Sequence, residues 1–376
     1  MSKETKRILL QILLFIVTFI TTTLAGAEWT HGRSIFMEDF GWNDFIGGME
    51  YSIPFLLILT VHEFGHYFTA IYYKVKTSLP YYIPFPPILF SIGTMGAMIR
   101  LRNRVPSKVQ NFDIGIAGPL AGFIMTVIIL FYGFTHLPSA DYIFEMHPEY
   151  KVYGANYADF VYKDMKPGTI DVMIGDNLLF YFFKNFVADP ALVPNPHELM
   201  HYPFLLAGFI SLVFTCLNLL PIGQLDGGHV VYGLFGYRIH RIIATVFFTI
   251  VIFYAGFGFV KPTDPPDTLV MWAPGYLVFL YLAFSGLKLS KRDTLMYAIL
   301  MFAVQFGLSW MFPGVEGYSG WLLFVFVIGM FIGIDHPPCE IEEPLDGKRI
   351  ALGWLAVIIF ILCFSPAPLV MKVFGE

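Results

Sequence analysis

Nine apolar runs divide this chain, and they constrain its fold more than any other feature. They lie near residues 8–26, 48–73, 113–135, 203–221, 241–260, 269–287, 294–312, 319–334 and 350–365. A helix crosses the hydrocarbon core of a bilayer in about 20 residues. Composition agrees: the 376 residues are 56% hydrophobic and 14% charged, where a soluble domain has about 25% charged residues. The expected fold is an all-α polytopic membrane protein with about eight or nine transmembrane helices. The range reflects the first and last runs, which are short or tilted if they span.

Charge placement sets the expected topology. Lys3, Lys6 and Arg7 precede the first run, and the loop from Glu28 to Asp44 is acidic. Lys74, Lys76, Arg100, Arg102, Arg104 and Lys108 follow the second run, while residues 136–200 carry an acidic excess. The positive-inside rule then puts the N-terminus in the cytoplasm. The first run resembles a signal peptide, with Ala25-Gly26-Ala27 as a small-residue cleavage site, but it is long enough to span and reads as a retained helix. With no obvious transit peptide, a bacterial inner membrane is the expected location. Cys216, Cys339 and Cys363 are widely spaced and form no CxxC pair, so neither a disulfide framework nor a thiolate metal site is expected. No basic run points to nucleic acid. The lipid bilayer is the surrounding partner, and the oligomeric state is not legible.

Inside the second run, residues 61–66 read Val-His-Glu-Phe-Gly-His. On a helix His62 and His66 are i and i+4, so both imidazoles leave one face a turn apart, the spacing two ligands of a tetrahedral zinc need. Glu63 adjoins the first and is positioned as a general base. Three ionisable groups on one turn of an apolar helix are costly without a role. The bland alternative is a structural histidine pair in a polar cluster at a helix end. Measured from Pro54, His62 lies about 12 Å down the helix at 1.5 Å per residue, near mid-bilayer or toward its cytoplasmic half.

A catalytic zinc takes three protein ligands and keeps one open position. The third candidate is Asp226, in Asn218-Leu-Leu-Pro-Ile-Gly-Gln-Leu-Asp226-Gly-Gly-His229 at the end of the fourth span. That span runs inward and delivers Asp226 toward the level of the histidine pair; Pro221 and the glycines break the helix. His229 is the rival ligand. His197, His201, His240 and His336 lie near expected interfaces and are expected to be solvated, as is the acidic loop Glu340–Asp346. The prolines at 80, 84, 86 and 87 forbid a helix over 78–112. The Ile92–Arg100 stretch reads as a hairpin or edge dipping into the membrane, or as an ordinary cytoplasmic loop. Gly93 and Gly96 are flexible points in it. Gly118 and Gly122 form a GxxxG on the third run, whose natural partner is the His-Glu helix. Asp176–Phe186 is an interfacial helix or packs under a loop.

The set His62-Glu63-x-x-His66, Gly118-Pro119-x-x-Gly122 and Asn218-x-x-Pro221-x-x-x-Leu225-Asp226-Gly227 resembles the site-2 protease family of intramembrane zinc metalloproteases, over roughly residues 46–235. The Gly-Gln-Leu-Asp-Gly-Gly-His and Ala-Gly-Pro-Leu-Ala-Gly stretches are similar to its plant-type EGY-like branch. The resemblance implies that His62, His66 and Asp226 bind Zn2+, that Glu63 is the catalytic base, and that Asn218 helps hold substrate or the oxyanion. It implies that residues 88–101, with Gly93 and Gly96, receive unwound substrate as an added strand. Substrates would be transmembrane proteins, cut within or next to a membrane helix. The 136–200 segment is short for the PDZ domain that many bacterial relatives carry, and none is expected. The expected organisation is an N-terminal helix and outer loop (1–45), a catalytic core (46–236) and C-terminal helices of unassigned role (237–376). The rival readings are a zinc transporter or metal sensor, which needs ligands along a path through both leaflets, and a proteolytically silent helix-binding relative, which needs no Glu63.

Overall fold

The computed structural model describes residues 1–88, 91–163, 168 and 170–373. The first helix, α1 (Lys3–His31), starts at a Ser2 cap that accepts from the Thr5 amide, and stops at Gly32 in the left-handed conformation, φ 64°. Its lipid side shows Ile8, Leu9, Ile12, Leu13 and Ile16, while Gln11, Thr18, Thr22, Thr23 and Thr30 are buried. This inside-out pattern suits a helix whose solvent is lipid.

The second helix, α2 (Trp42–Tyr72), carries Pro54 in its interior. A proline that ends a helix in water is tolerated in a membrane helix, where packing and side chains re-satisfy the freed carbonyl. Counting from Pro54 therefore places His62 too near the helix start. His62 stands about 20 residues and about 30 Å along it. The two helices meet through small residues: a Cβ at Gly48 would lie 2.0 Å from the Thr23 carbonyl oxygen, and Thr23 and Ser52 share a hydroxyl hydrogen bond of 2.8 Å.

Next come two antiparallel strands, β1 (Tyr81–Pro84) and β2 (Thr94–Met98), with Tyr82 opposite Ala97 and an irregularity before Pro84. The expected hairpin is present; Leu89 and Phe90 of the 88–101 segment lie outside the described residues. Helix α3 (Lys108–Thr135) follows. After it come short helical turns, strand β3 (Ile170–Ile174) and helix α4 (Leu178–Phe186). In α4, Phe180 and Phe183 turn inward onto Phe134, and Phe180 also meets Phe209. Leu178, Tyr181, Phe182 and Phe186 are exposed, so this helix both packs inward and presents an apolar outer face.

The remaining helices are α5 (Pro203–Asn218), α6 (Asp226–Gly256), α7 (Pro266–Phe284), α8 (Lys291–Met311), α9 (Gly320–Val327) and α10 (Gly347–Cys363). Strand β4 (Leu369–Val373) pairs antiparallel with β3, about 200 residues earlier in the chain. Among the described residues six helices are long and apolar enough to cross a membrane: α1, α2, α3, α6, α7 continued to Leu287, and α8. Shorter apolar helices cover Pro203–Asn218 and Gly320–Ile332, and α10 has 17 residues. The chain is an integral membrane protein built mostly of helices.

The chain forms two compact units. One comprises Met1–Val105, Ala117–Leu217 and Val357–Glu376, with Tyr51, Phe55, Phe134, Phe180 and Phe209 fully buried. The other comprises Pro106–Ile116 and Asn218–Ala356, with Phe112, Tyr232, Phe248 and Phe284 fully buried.

One surface expectation holds and one is corrected. The acidic loop Glu340–Asp346 is exposed except at Leu345, as expected, and it is tethered as well. Ile341 exchanges backbone hydrogen bonds with Pro106 and Lys108, at 2.9 and 3.0 Å. Tyr232 donates to Glu342, Ser107 donates to Glu343, and Lys108 lies 3.6 Å from Glu342. The histidines expected in solvent are the correction: His240 is 0%, His336 2% and His201 9% exposed, while His197 is half-buried with its Nδ1 2.8 Å from Asp171. Burial lowers His201 to about 4 and, with repulsion from Glu149 second, raises Glu198 to about 7. Desolvation disfavours the charged form in both cases.

Candidate functional site

In the first unit, α2 delivers His62, Glu63 and His66 on a single turn. All three are buried, at 6%, 4% and 7% exposure. The two Nε2 atoms face each other at 3.1 Å. Two nitrogens on adjacent corners of a tetrahedral zinc, each about 2.0–2.1 Å from the ion, stand about 3.3 Å apart. The pair thus fits a metal without rebuilding either rotamer.

The reason such large polar side chains fit here is α3. A Cβ at Gly118 would lie 2.1 Å from His66 Nε2, and one at Gly122 would lie 3.0 Å from His62 Cβ. On the α2 side, a Cβ at Gly65 would lie 2.6 Å from the Ala117 carbonyl oxygen. Gly118 and Gly122 leave the volume that the imidazoles occupy, and Gly65 lets the two backbones approach. The GxxxG therefore does more than bring backbones together: it forms the floor under the two rings.

The hairpin is fastened to the same helix. Tyr82 of β1 shares a 2.7 Å hydroxyl hydrogen bond with Thr60, three residues before Glu63, and packs with Leu56 and Leu59. Gly93, φ 86°, lies against α1, where a Cβ would meet Thr22 Cα at 2.4 Å. Its carbonyl accepts from the Thr21 hydroxyl at 2.7 Å. Gly96, φ 104°, lies beside the Phe214 ring. No spacing in the chain announces the Thr60–Tyr82 or Gly93–Thr22 pairings.

In the second unit, Asn218 is the last residue of α5, and the chain breaks over 219–225 before α6 starts. Gly223 takes φ 56°, and a Cβ there would collide with the Gly333 carbonyl oxygen at 2.2 Å. Cβ atoms at Gly227 and Gly228 would lie 2.0 and 2.2 Å from the carbonyl oxygens of Leu219 and Gly223. Asp226 is the first residue of α6 and is half-buried. The rival, His229, has its Nδ1 2.8 Å from His336 and 3.0 Å from the Asn111 amide nitrogen. Asn111 reaches both rings, and Tyr232 stacks on His336 at 4.2 Å. His229 thus belongs to a histidine–amide cluster of this unit; the sequence read His336 as solvated and gave no sign of Asn111, and both lie more than 100 residues from it.

The sequence profile of peptidase family M50 matches residues 50–261, a span that contains all four ionisable candidates. The chain is similar to the protein named probable zinc metalloprotease EGY1, chloroplastic, from Oryza sativa subsp. japonica, with 32% identity over 48% of this chain and 27% of that protein. The Arabidopsis thaliana protein of the same name is 31% identical over 48% of this chain and 28% of its own length. Probable zinc metalloprotease EGY2, chloroplastic, from Oryza sativa subsp. indica, is 26% identical over 50% and 30%. The matched region is thus less than a third of each of these relatives. No solved structure matches the chain. With more than half of its length matched, the chain belongs to peptidase family M50, the site-2 family of zinc metalloproteases.

Proposed function

We propose that the chain is an intramembrane zinc endopeptidase that cuts membrane-anchored proteins within or next to a transmembrane helix. The observation that carries this reading is the His62-Glu63-His66 turn, buried in a membrane-length helix and floored by Gly118 and Gly122. His62, His66 and Asp226 are the residues that would hold the zinc; two imidazoles and a carboxylate are a common catalytic donor set. When bound there, zinc supplies Lewis acidity toward the scissile carbonyl and lowers the pKa of water.

The chain's own groups do the rest. Glu63 takes the proton of the attacking water and later hands it to the leaving amine. Its burial keeps the carboxylate away from competing solvent. Asn218 supplies an amide to the substrate backbone or the developing oxyanion. The hairpin of β1 and β2 receives unwound substrate as an added strand, with Gly93 and Gly96 shaping its backbone. A helical amide is shielded by its own hydrogen bonds, so such unwinding must precede attack. The lysine and arginine distribution supports a cytoplasmic N-terminus.

The test is the Glu63→Gln form, purified with a membrane-anchored substrate. Zinc retained with cleavage lost is the expected result. Unchanged cleavage would sink the assignment of Glu63, and zinc flux across vesicles without cleavage would favour a transporter.

A further inference from the structure

A second group of metal-type ligands lies in the segment between α3 and α5. His147, Glu198 and His201 bring one ligand atom each within 4.8 Å of one another. The two Nε2 atoms are 3.3 Å apart, and Glu198 Oε2 stands 3.6 Å from His147 Nε2 and 3.5 Å from His201 Nε2. These three distances are close to the edges of one tetrahedral face around zinc, about 3.3 Å for ligands at about 2.0–2.1 Å.

The hydrogen bonds on the far side of each ring say which atoms face inward. His201 Nδ1–H donates to the Thr30 carbonyl oxygen at 2.8 Å, a partner that can only accept. His147 Nδ1–H donates to Glu149 Oε1 at 3.3 Å. In a neutral imidazole the other nitrogen is then an acceptor. With both rings neutral and Glu198 ionised, the two inward Nε2 atoms and Glu198 Oε2 are acceptors turned toward one another, an arrangement that a cation at their centre satisfies. The outer shell has the form found around bound metals, where each ring's second nitrogen is held by an oxygen acceptor. The other Glu198 oxygen, Oε1, accepts from the Tyr162 hydroxyl, which orients the carboxylate. Tyr150 stacks on the His147 ring at 4.5 Å, and the Tyr142 hydroxyl donates to the His201 carbonyl at 3.0 Å. Glu198 is 2% and His201 9% exposed, while the His147 side chain, 29% exposed, leaves a side open for water at the fourth corner.

We propose that His147, Glu198 and His201 form a second zinc site, separate from the turn at His62 and independent of the proposed proteolysis. Two imidazoles and a carboxylate suit zinc better than calcium or magnesium, which prefer oxygen ligands. The ion ties together three stretches far apart in sequence: the turn at 147, the turn at 198–201 and, through His201, the end of α1 at Thr30. Its role is to fix the segment that joins α3 to α5, since a site assembled by folding couples binding to order.

The experiment is zinc stoichiometry on the full-length protein in detergent, stripped with chelator, re-loaded with zinc alone and desalted. The wild type should hold two zinc ions per chain. H147N, altered at the most exposed ligand, should hold one with unchanged helical circular dichroism, and added zinc should no longer raise its melting temperature as far as it raises that of the wild type. The H62A/H66A double variant should keep one. If wild type and H147N hold equal zinc and show equal zinc-induced shifts, the proposal is overturned. Equal zinc in wild type and H62A/H66A, with H147N still lower by one, would overturn the site at His62 instead and leave this one standing.

Discussion

Two histidine pairs in this protein look alike at their centres and arise in opposite ways. His62 and His66 bring their Nε2 atoms to 3.1 Å from one turn of one helix. His147 and His201 bring theirs to 3.3 Å from positions 54 residues apart. Helical periodicity alone aligns the first pair, so it is written in the sequence as His-x-x-x-His. The second pair needs the whole segment between α3 and α5 to fold, plus the carbonyl of Thr30 from α1. A local pair survives damage at a distance; an assembled pair does not. That difference sets what each should tolerate.

The largest expected effect tests whether the local pair is sufficient. Asp226→Asn keeps volume and removes the charge that would complete the ligand set. Cleavage should fall by at least about 1,000-fold, with zinc affinity at that site reduced by more than the roughly 10–100-fold that an outer-shell change costs. Full activity and full zinc content would leave the pair needing another third ligand. Metal analysis and a cleavage assay on the same preparation decide it.

Gly118→Ala comes next. The added methyl carbon would meet His66 Nε2 at 2.1 Å, so α3 must shift or the ring must turn. Overpacking of this kind costs about 1–3 kcal/mol. Melting temperature should drop and zinc at His62 and His66 should weaken, although neither ligand has changed. Unaltered zinc affinity would show that the turn is indifferent to its floor, and would sharpen the case for a purely local pair.

Gly93→Ala asks the same of the hairpin. A left-handed φ of 86° and a 2.4 Å approach to Thr22 Cα both oppose a side chain. Strain of about 1–3 kcal/mol is expected, read as faster hydrogen exchange in β1 and β2 and a raised KM with kcat less affected. Loss of kcat alone would place the hairpin outside substrate binding. The smallest effect belongs to the assembled pair: Tyr162→Phe removes the donor to Glu198 Oε1 and should lower zinc affinity there by about 10-fold, at the low end for outer-shell changes. Isothermal titration of a form lacking His62 and His66 measures it without interference.

Much of this protein is legible in its sequence because the signals are short-range. Each apolar run forms part of a helix, since a backbone in lipid has few other ways to satisfy its hydrogen bonds. His62, Glu63 and His66 share a face by helical geometry, and Pro221 with Gly223 marks the break before Asp226. The helix start at Trp42 is hidden because Pro54 looks like a boundary, a rule that holds in water rather than lipid. The histidines at 201, 240 and 336 look solvated because they flank apolar runs, and flanking position says nothing about what later folds over them. The docking of Glu342 and Glu343 onto Tyr232 and Ser107 is equally hidden.

By itself, then, the sequence determined the helical runs and the zinc-type turn, because each depends on neighbours within about one or two turns. Only the tertiary structure decided that Gly118 and Gly122 form the floor of the rings, that Gly93 lies on α1, that β4 returns to β3, and that His147 meets Glu198 and His201. Those pairings join residues far apart in the chain, where no periodicity links the partners and only the packing of one element on another brings their atoms within reach.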